Sequence, residues 1–86
     1  MNNSYCKIPT IVKKNKSICS NAKLLYGDIQ LLCHQNGYCY ASNKFLADNL
    51  MVTDRTIRRL IKELKDANLI KIEYIDNHIR HIYLVV

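Results

Sequence analysis

Hydrophobic residues between Ser20 and Gln35 recur at the spacing of an α-helix. They occupy positions i, i+3, i+4, i+7, i+10 and i+11 of one stripe, which are Ala22, Leu25, Tyr26, Ile29, Leu32 and Cys33. Such a stripe is the core-facing side of an amphipathic helix. We therefore predict a helix over residues 21–35, with Ser20 as its N-cap and Gly37 directly after its C-terminus.

Leu24 and Leu31 belong to the same segment but lie outside this stripe. We consider two ways to cover them. One is an apolar group near the N-terminus (Ile8, Ile11 and Val12), and the other is a second subunit. We favour the N-terminal group.

Two further helices are predicted downstream. Ser42 is the N-cap of the first, which runs from Asn43 to about Asn49 and turns its hydrophobic residues Phe45, Leu46 and Leu50 inward. Thr53 is the N-cap of the second, which runs to Asn68. The apolar side of this second helix consists of Ile57, Leu60, Ile61 and Leu64. Two short helices joined by about four residues form a helix-turn-helix.

After Asn68 the hydrophobic period changes to that of a β-strand. Ile70, Ile72 and Tyr74 alternate with polar residues, residues 76–78 form a turn, and residues 79–86 return as a second strand. The run 38–40 is expected to add a short third strand.

Two registers are open for this hairpin. A two-residue loop pairs Glu73 with Arg80, whereas a three-residue loop pairs Ile72 with Ile82. We favour the second register, because it places more apolar area on one face of the sheet.

The order helix, short strand, helix, turn, helix, β-hairpin describes an α+β fold, the winged helix-turn-helix, in which the hairpin is the wing. We assign residues 20–86 to this domain and residues 1–19 to a basic N-terminal arm. Within the arm, Pro9 is expected to open a helical turn over residues 10–14. The arm is either a tethered, partly ordered segment or a phosphate contact through Lys13, Lys14 and Lys16.

Basic residues outnumber acidic residues by 13 to 7, which gives a net charge of +6. In a short chain this balance favours a polyanionic partner, nucleic acid first and an anionic membrane surface second. The N-terminus has no secretory h-region, and no hydrophobic run approaches the length of a membrane span. We therefore expect a cytoplasmic protein that does not insert into a membrane.

The chain has four cysteines, which are Cys6, Cys19, Cys33 and Cys39. They lie within apolar patterns and lack the CxxC spacing of a zinc ribbon. We expect free thiols that act as small core residues, with no disulfide and no metal site.

Groups suited to catalysis are not arranged in any recognisable spacing. There is no Ser-His-Asp set, no pair of carboxylates in one element and no phosphate-binding loop. His34, His78 and His81 fall on a helix end, in a turn and on a strand. We expect no enzymatic activity, no cofactor and no small-molecule substrate.

The helix from Thr53 carries four cations on the side opposite its apolar residues, and these are Arg55, Arg58, Arg59 and Lys62. One interpretation is an ordinary solvated face. The neighbouring elements favour the other, insertion into the major groove of double-stranded DNA. Arg58 is then the candidate for a bidentate contact to guanine, with Arg59 and Lys62 on flanking phosphates.

Further DNA contacts are expected around this helix. Thr53, Asp54 and Arg55 lie at its N-terminal end, where base edges are reached first. Ser42, Asn43 and Lys44 begin the preceding helix and meet the DNA backbone. The wing tip offers the donors Asn77, His78 and Arg80, opposed by Asp76.

Four stretches resemble a known family: AKLLYGDI (22–29), GYCYASNKFLADNL (37–50), VTDRTIRRLIKEL (52–64) and NLIKIEY (68–74). They are similar to winged helix-turn-helix domains at the N-termini of replication initiators and replisome organisers of Gram-positive plasmids and phages. The family's usual Gly after the recognition helix is replaced by Asn68, which tolerates the left-handed conformation next best. The resemblance implies a DNA-binding protein of a mobile element that acts at a replication origin.

Several alternatives stay open. Transcription regulators and accessory proteins of conjugation use the same scaffold. Homodimers on two half-sites and separate monomers on direct repeats are both compatible with it. A protein-interaction module of the replication or transfer machinery would instead use exposed apolar residues, namely Tyr5, Leu24, Leu31, Tyr74 and Tyr83. RNA binding is a further alternative.

Overall fold

The computed structural model describes residues 10–76 and 79–85, without the side chain of Ile11. The helices are α1 (Thr10–Lys13), α2 (Ser20–Asn36), α3 (Asn43–Leu50) and α4 (Asp54–Asp66), and the strands are β1 (Ile70–Tyr74) and β2 (Arg80–Leu84). α1 is a single turn. α4 packs on both α2 and α3, and the antiparallel β1–β2 hairpin follows it. The predicted α+β winged helix-turn-helix, with three main helices and a hairpin, is confirmed.

The core forms around the predicted stripe of α2. Leu25, Tyr26 and Ile29 are fully buried, and they pack with the apolar side of α4 and with Ile82 of β2. Val12 and Ile18 are buried in the same core, although we assigned both to the N-terminal arm. The turn over α1 is confirmed, and Val12, one of its four residues, belongs to the core.

Leu24 and Leu31 are 54% and 40% exposed. Of the three residues expected to cover them, Val12 belongs to the core, while Ile8 and the side chain of Ile11 lie outside the described part of the chain.

The helix caps agree with the sequence in two of three cases. The hydroxyl of Ser42 accepts a hydrogen bond from the backbone N–H of Phe45 at 3.1 Å, and that of Thr53 accepts one from Thr56 at 3.1 Å. The prediction for Ser20 is wrong, because Ser20 is already helical and Cys19 occupies the N-cap without a side-chain cap.

The inward side of α3 also differs from the expectation. Phe45 is 50% exposed, whereas Leu46 and Ala47 are buried and Leu50 is partly buried. Because each helical residue advances by about 100°, the side centred on Leu46 and Leu50 turns Phe45 outward.

The hairpin adopts the favoured register, with Ile72 opposite Ile82 and Ile70 opposite Leu84. The expected third strand is reduced to one bridge, in which Cys39 and Ile82 exchange two backbone hydrogen bonds of 2.8 Å. A single bridge suffices to tie the segment after α2 to the sheet.

Within the described residues, a positive φ occurs at Gly37 (82°), Met51 (62°) and Asn68 (60°). Gly37 follows α2 as predicted, and Asn68 makes the turn after α4 in place of glycine. Met51 is the unexpected member, because a residue with a bulky side chain rarely occupies the left-handed region.

Replacing Met51 by glycine should raise the free energy of unfolding by about 0.5–1 kcal/mol. The side chain is 90% exposed, so its removal costs no packing, and glycine relieves the strain of the positive φ. Urea denaturation followed by circular dichroism measures the change. Met51→Ala is the matched control, since it removes the same side chain but keeps the strain. An equal gain in both variants would contradict this explanation.

Candidate nucleic-acid interface

The outer side of α4 presents its cations to solvent, as the helical spacing predicted. Three of them form i, i+4 ion pairs: Arg58 with Asp54 at 3.4 Å, Arg59 with Glu63 at 3.8 Å, and Lys62 with Asp66 at 3.0 Å. The pairs of Arg58 and Lys62 join exposed side chains and are weak, so a phosphate group can replace their carboxylates. Glu63 is less exposed and also accepts a hydrogen bond from the backbone N–H of Cys19. Among the described residues, Arg55 has no ion pair, which leaves its full charge available at the N-terminal end of the helix.

The polar side chains that begin α4 are partly engaged within the protein. The Thr53 hydroxyl caps the helix and also hydrogen-bonds the hydroxyl of Thr56 at 3.0 Å. Asp54 contacts Nε of Arg58. Because this contact uses Nε, both Nη groups of Arg58 stay available for two acceptors on one base edge.

The polar side chains at the start of α3 also form hydrogen bonds and an ion pair within the protein. Ser42 caps the helix, and the side-chain oxygen of Asn43 accepts a hydrogen bond from Arg80. Lys44 is exposed and pairs with Asp48 at 3.3 Å. Of the three residues expected to meet DNA here, Lys44 therefore presents the most accessible donor.

Arg80 lies at the base of the wing and not at its tip. It is half-buried and donates hydrogen bonds to the backbone oxygen of Ala41, at 3.3 Å, and to the Asn43 side chain. Burial lowers the pKa of its guanidinium, although arginine stays charged in proteins. The register explains this position, because Arg80 alternates with Ile82 and Leu84 on the inward face of β2. The other two wing-tip candidates, Asn77 and His78, lie outside the described residues.

Replacing Arg80 by alanine should lower the free energy of unfolding by about 1–3 kcal/mol, because it removes two hydrogen bonds from a charged donor. Thermal unfolding followed by circular dichroism measures the loss. Arg80→Lys should not recover it fully, since both bonds come from Nη2, and the ammonium group of an unbranched lysine does not occupy the position of that nitrogen. Arg55→Ala is the control, with an exposed side chain and no ion pair. If Arg80→Ala were as harmless as Arg55→Ala, the bridge between wing and α3 would contribute nothing.

The three lysines of the arm that were expected to contact phosphate are exposed and lie within the described part of the chain: Lys13, Lys14 and Lys16. The backbone oxygen of Lys13 accepts a hydrogen bond from Lys23 at 2.6 Å. Ser17 lines a surface hollow together with Glu63 and Asp66 of α4. The residue that follows the three lysines therefore lies beside the C-terminal half of α4.

This geometry agrees with a comparison against known families. The sequence model of a family described as a helix-turn-helix domain matches residues 18–70, more than half of the chain. The chain belongs to this helix-turn-helix domain family. No curated protein and no solved structure matches it significantly.

Family membership supports DNA as the partner of this helix-turn-helix protein. The match includes α2, α3 and α4 and ends at Ile70, the first residue of β1. The contribution of the hairpin therefore follows from the structure alone.

Two cysteines of the helix-turn-helix protein are buried core residues. Cys33 and Cys39 are free and buried, and burial raises the pKa of the Cys33 thiol to about 11 and also raises that of Cys39. Both thiols are therefore protonated at neutral pH. Cys19 is free but exposed, against the expectation of a core position, and Cys6 lies outside the described residues.

Within residues 10–76 and 79–85, no group of three or more His, Cys, Asp or Glu residues is placed to hold a metal ion. No helix in this range is long and apolar enough to cross a membrane.

Lys65 and Tyr74 line a cleft of this candidate interface, and the sequence did not predict either of them as a DNA contact. They line the cleft between α4 and the hairpin together with Arg58, Lys62 and Arg80. Helical spacing contained a signal for Lys65, since it follows Arg58 by seven residues on the same side of α4. The position of Tyr74 depends on the hairpin register and had no local signal.

Proposed function

We propose that this helix-turn-helix protein binds double-stranded DNA in a sequence-directed manner. In this proposal α4 lies in the major groove, and the hairpin and the basic arm contact the backbone. The observation that carries the proposal is that the two opposite sides of α4 differ in character. One side is buried in the core through Ile57, Leu60 and Leu64, and the opposite side exposes arginines at the end where base edges are reached first.

The contacts within this proposal divide into two kinds. Arg58 is the base-reading residue, because its Nη groups match the O6 and N7 acceptors of guanine. Arg55 lies at the end of α4 where base edges are reached first. Arg59, Lys62 and Lys44 supply phosphate contacts, which give affinity without sequence information. Ser42 and Asn43 contribute chiefly by holding α3 and Arg80 in place.

The biological setting is proposed from the resemblance of the sequence alone. It favours a cytoplasmic DNA-binding protein of a plasmid or phage that acts at a replication origin and contacts the replication machinery. An accessory role in conjugative transfer and a role as transcription regulator are the alternatives on the same scaffold.

A protein-interaction module is the second candidate function. It is favoured by the exposure of Leu24 and Leu31 on α2 and of Tyr74, which is 68% exposed. Such a partner, including a second copy of the chain, would contact apolar area and depend little on salt.

Selection of bound fragments from the replicon that carries the gene, followed by footprinting, tests the proposed function. A protected cluster of repeats at a replication origin would support the replication role, whereas protection at a transfer origin or a promoter would favour the alternatives. Affinity for the selected site should fall nearly linearly in log K against log salt. Recovery of no preferred sequence, or binding that does not respond to salt, would contradict sequence-directed DNA binding.

A further inference from the structure

The cleft between α4 and the hairpin is lined by charges of one sign. Its volume is about 400 Å³. The charged side chains that line it are Arg58, Lys62, Lys65 and Arg80, and no carboxylate is among its described lining residues. A cleft with several cations and no anion attracts and concentrates anionic groups.

Two of these four cations have no carboxylate within ion-pair distance in the described part of the chain, although Asp54 acts on Arg80 from further away. Arg58 and Lys62 each have a carboxylate partner on α4, whereas Lys65 and Arg80 form no ion pair in the described part of the chain. Arg80 is also held in place, because Ala41 and Asn43 accept its hydrogen bonds. A fixed guanidinium loses little conformational entropy when it binds an anion.

The remaining walls of the cleft suit an extended polar ligand. Ile61 and Ile72 provide an apolar floor that lowers the local dielectric constant and strengthens the attraction of the cations. Tyr74 lies at the hairpin side and is mostly exposed, so its hydroxyl group is accessible as a donor.

We propose that this cleft binds the phosphodiester backbone of one DNA strand, with Lys65 and Arg80 as its principal cations and Tyr74 as an additional donor. The proposal rests on the proposed function, since it takes α4 as the helix in the major groove. A helix in that groove has a phosphate backbone on each side. Because the hairpin stands beside α4, one of the two backbones passes between them.

The test measures the salt dependence of binding to a fluorescein-labelled duplex of the selected site, about 20 base pairs long. Lys65→Gln should lower the slope of log K against log salt by about 0.9, the change for one lost phosphate contact. Lys71→Gln is the matched control. It removes the same charge from an exposed position on the outward face of β1, and it should leave the slope unchanged.

A second measurement identifies the phosphate itself. Single phosphates of the duplex are replaced in turn by neutral methylphosphonates, and binding of the original protein is compared with that of Lys65→Gln. At one position, on the strand beside the hairpin, the methylphosphonate should weaken DNA binding by the original protein but not DNA binding by the variant. For Tyr74→Phe, a methylphosphonate at that phosphate or at its neighbour should likewise no longer weaken DNA binding.

Failure of this inference differs from failure of the proposed function. If Lys65→Gln and Lys71→Gln behave alike while Arg55→Ala still weakens binding, α4 contacts DNA but the cleft does not hold the backbone. If Arg55→Ala, Arg58→Ala and Lys65→Gln all leave binding unchanged, the placement of α4 is wrong and the inference falls with it. Thermal unfolding of each variant verifies that the fold is retained.

Discussion

Replacing Leu60 by alanine is expected to lower the free energy of unfolding by about 3–4 kcal/mol. Leu60 lies on the buried side of α4 and is fully inaccessible to solvent. The substitution removes apolar contacts and leaves a cavity that rigid neighbouring helices fill only in part. Domains of this size have total stabilities of about 5–15 kcal/mol, so the loss is a large share of the whole.

Urea denaturation followed by circular dichroism measures this change. Leu24→Ala is the matched control, because it is the same substitution at a position that is 54% exposed on α2, and it should cost less than about 1 kcal/mol. A second subunit packed on Leu24 would instead make the control costly and dependent on protein concentration. Comparable losses in both variants at every concentration would contradict the assignment of the core.

Replacing Arg58 by alanine is expected to weaken binding to the selected DNA site by about 1–3 kcal/mol, which corresponds to roughly a five- to 150-fold loss of affinity. The reason is the loss of a bidentate contact to one guanine. The variant should consequently tolerate other bases at that position, and the measurement is a panel of duplexes with single base-pair changes.

Lys62→Ala gives the informative contrast for Arg58. A phosphate contact carries no sequence information, so its loss should weaken all duplexes about equally and lower the salt slope by about 1. If Arg58→Ala showed this uniform pattern and Lys62→Ala relaxed a base preference, the roles of the two residues would be exchanged. Lys71→Ala, on the outward face of β1, should change neither property.

Arg80 has a structural role in addition to the charge that it contributes to the cleft. The sequence predicted that Arg80 is a donor at the wing tip. In the structure its guanidinium instead connects β2 to Ala41 and Asn43 through hydrogen bonds. Its substitution therefore has two effects, on stability and on the cationic cleft. Lys65 separates them, because it lines the same cleft from an exposed position and makes no ion pair in the described chain.

Local sequence patterns determined most of the framework. Helical spacing placed the buried side of α2 and α4, and the same spacing placed the arginines of α4 on the opposite side. Ser42 and Thr53 were recognisable as caps because a hydroxyl can accept an N–H three residues later within the same short segment. The favoured hairpin register followed from apolar alternation, since a slip by one residue exposes a whole apolar face.

Tertiary structure decided the positions that depend on distant partners. Val12 and Ile18 joined the core. Cys19 became the N-cap of α2, and its backbone N–H donates a hydrogen bond of 3.0 Å to Glu63, 44 residues away. Phe45 turned outward because the packing of α3 selected another side of a two-turn helix. Arg80 became a bridge, and with Lys65 and Tyr74 it formed a cleft between elements that are separate in sequence. A local pattern shows which residues share one face of a helix or strand, but only packing shows which residues of different elements meet.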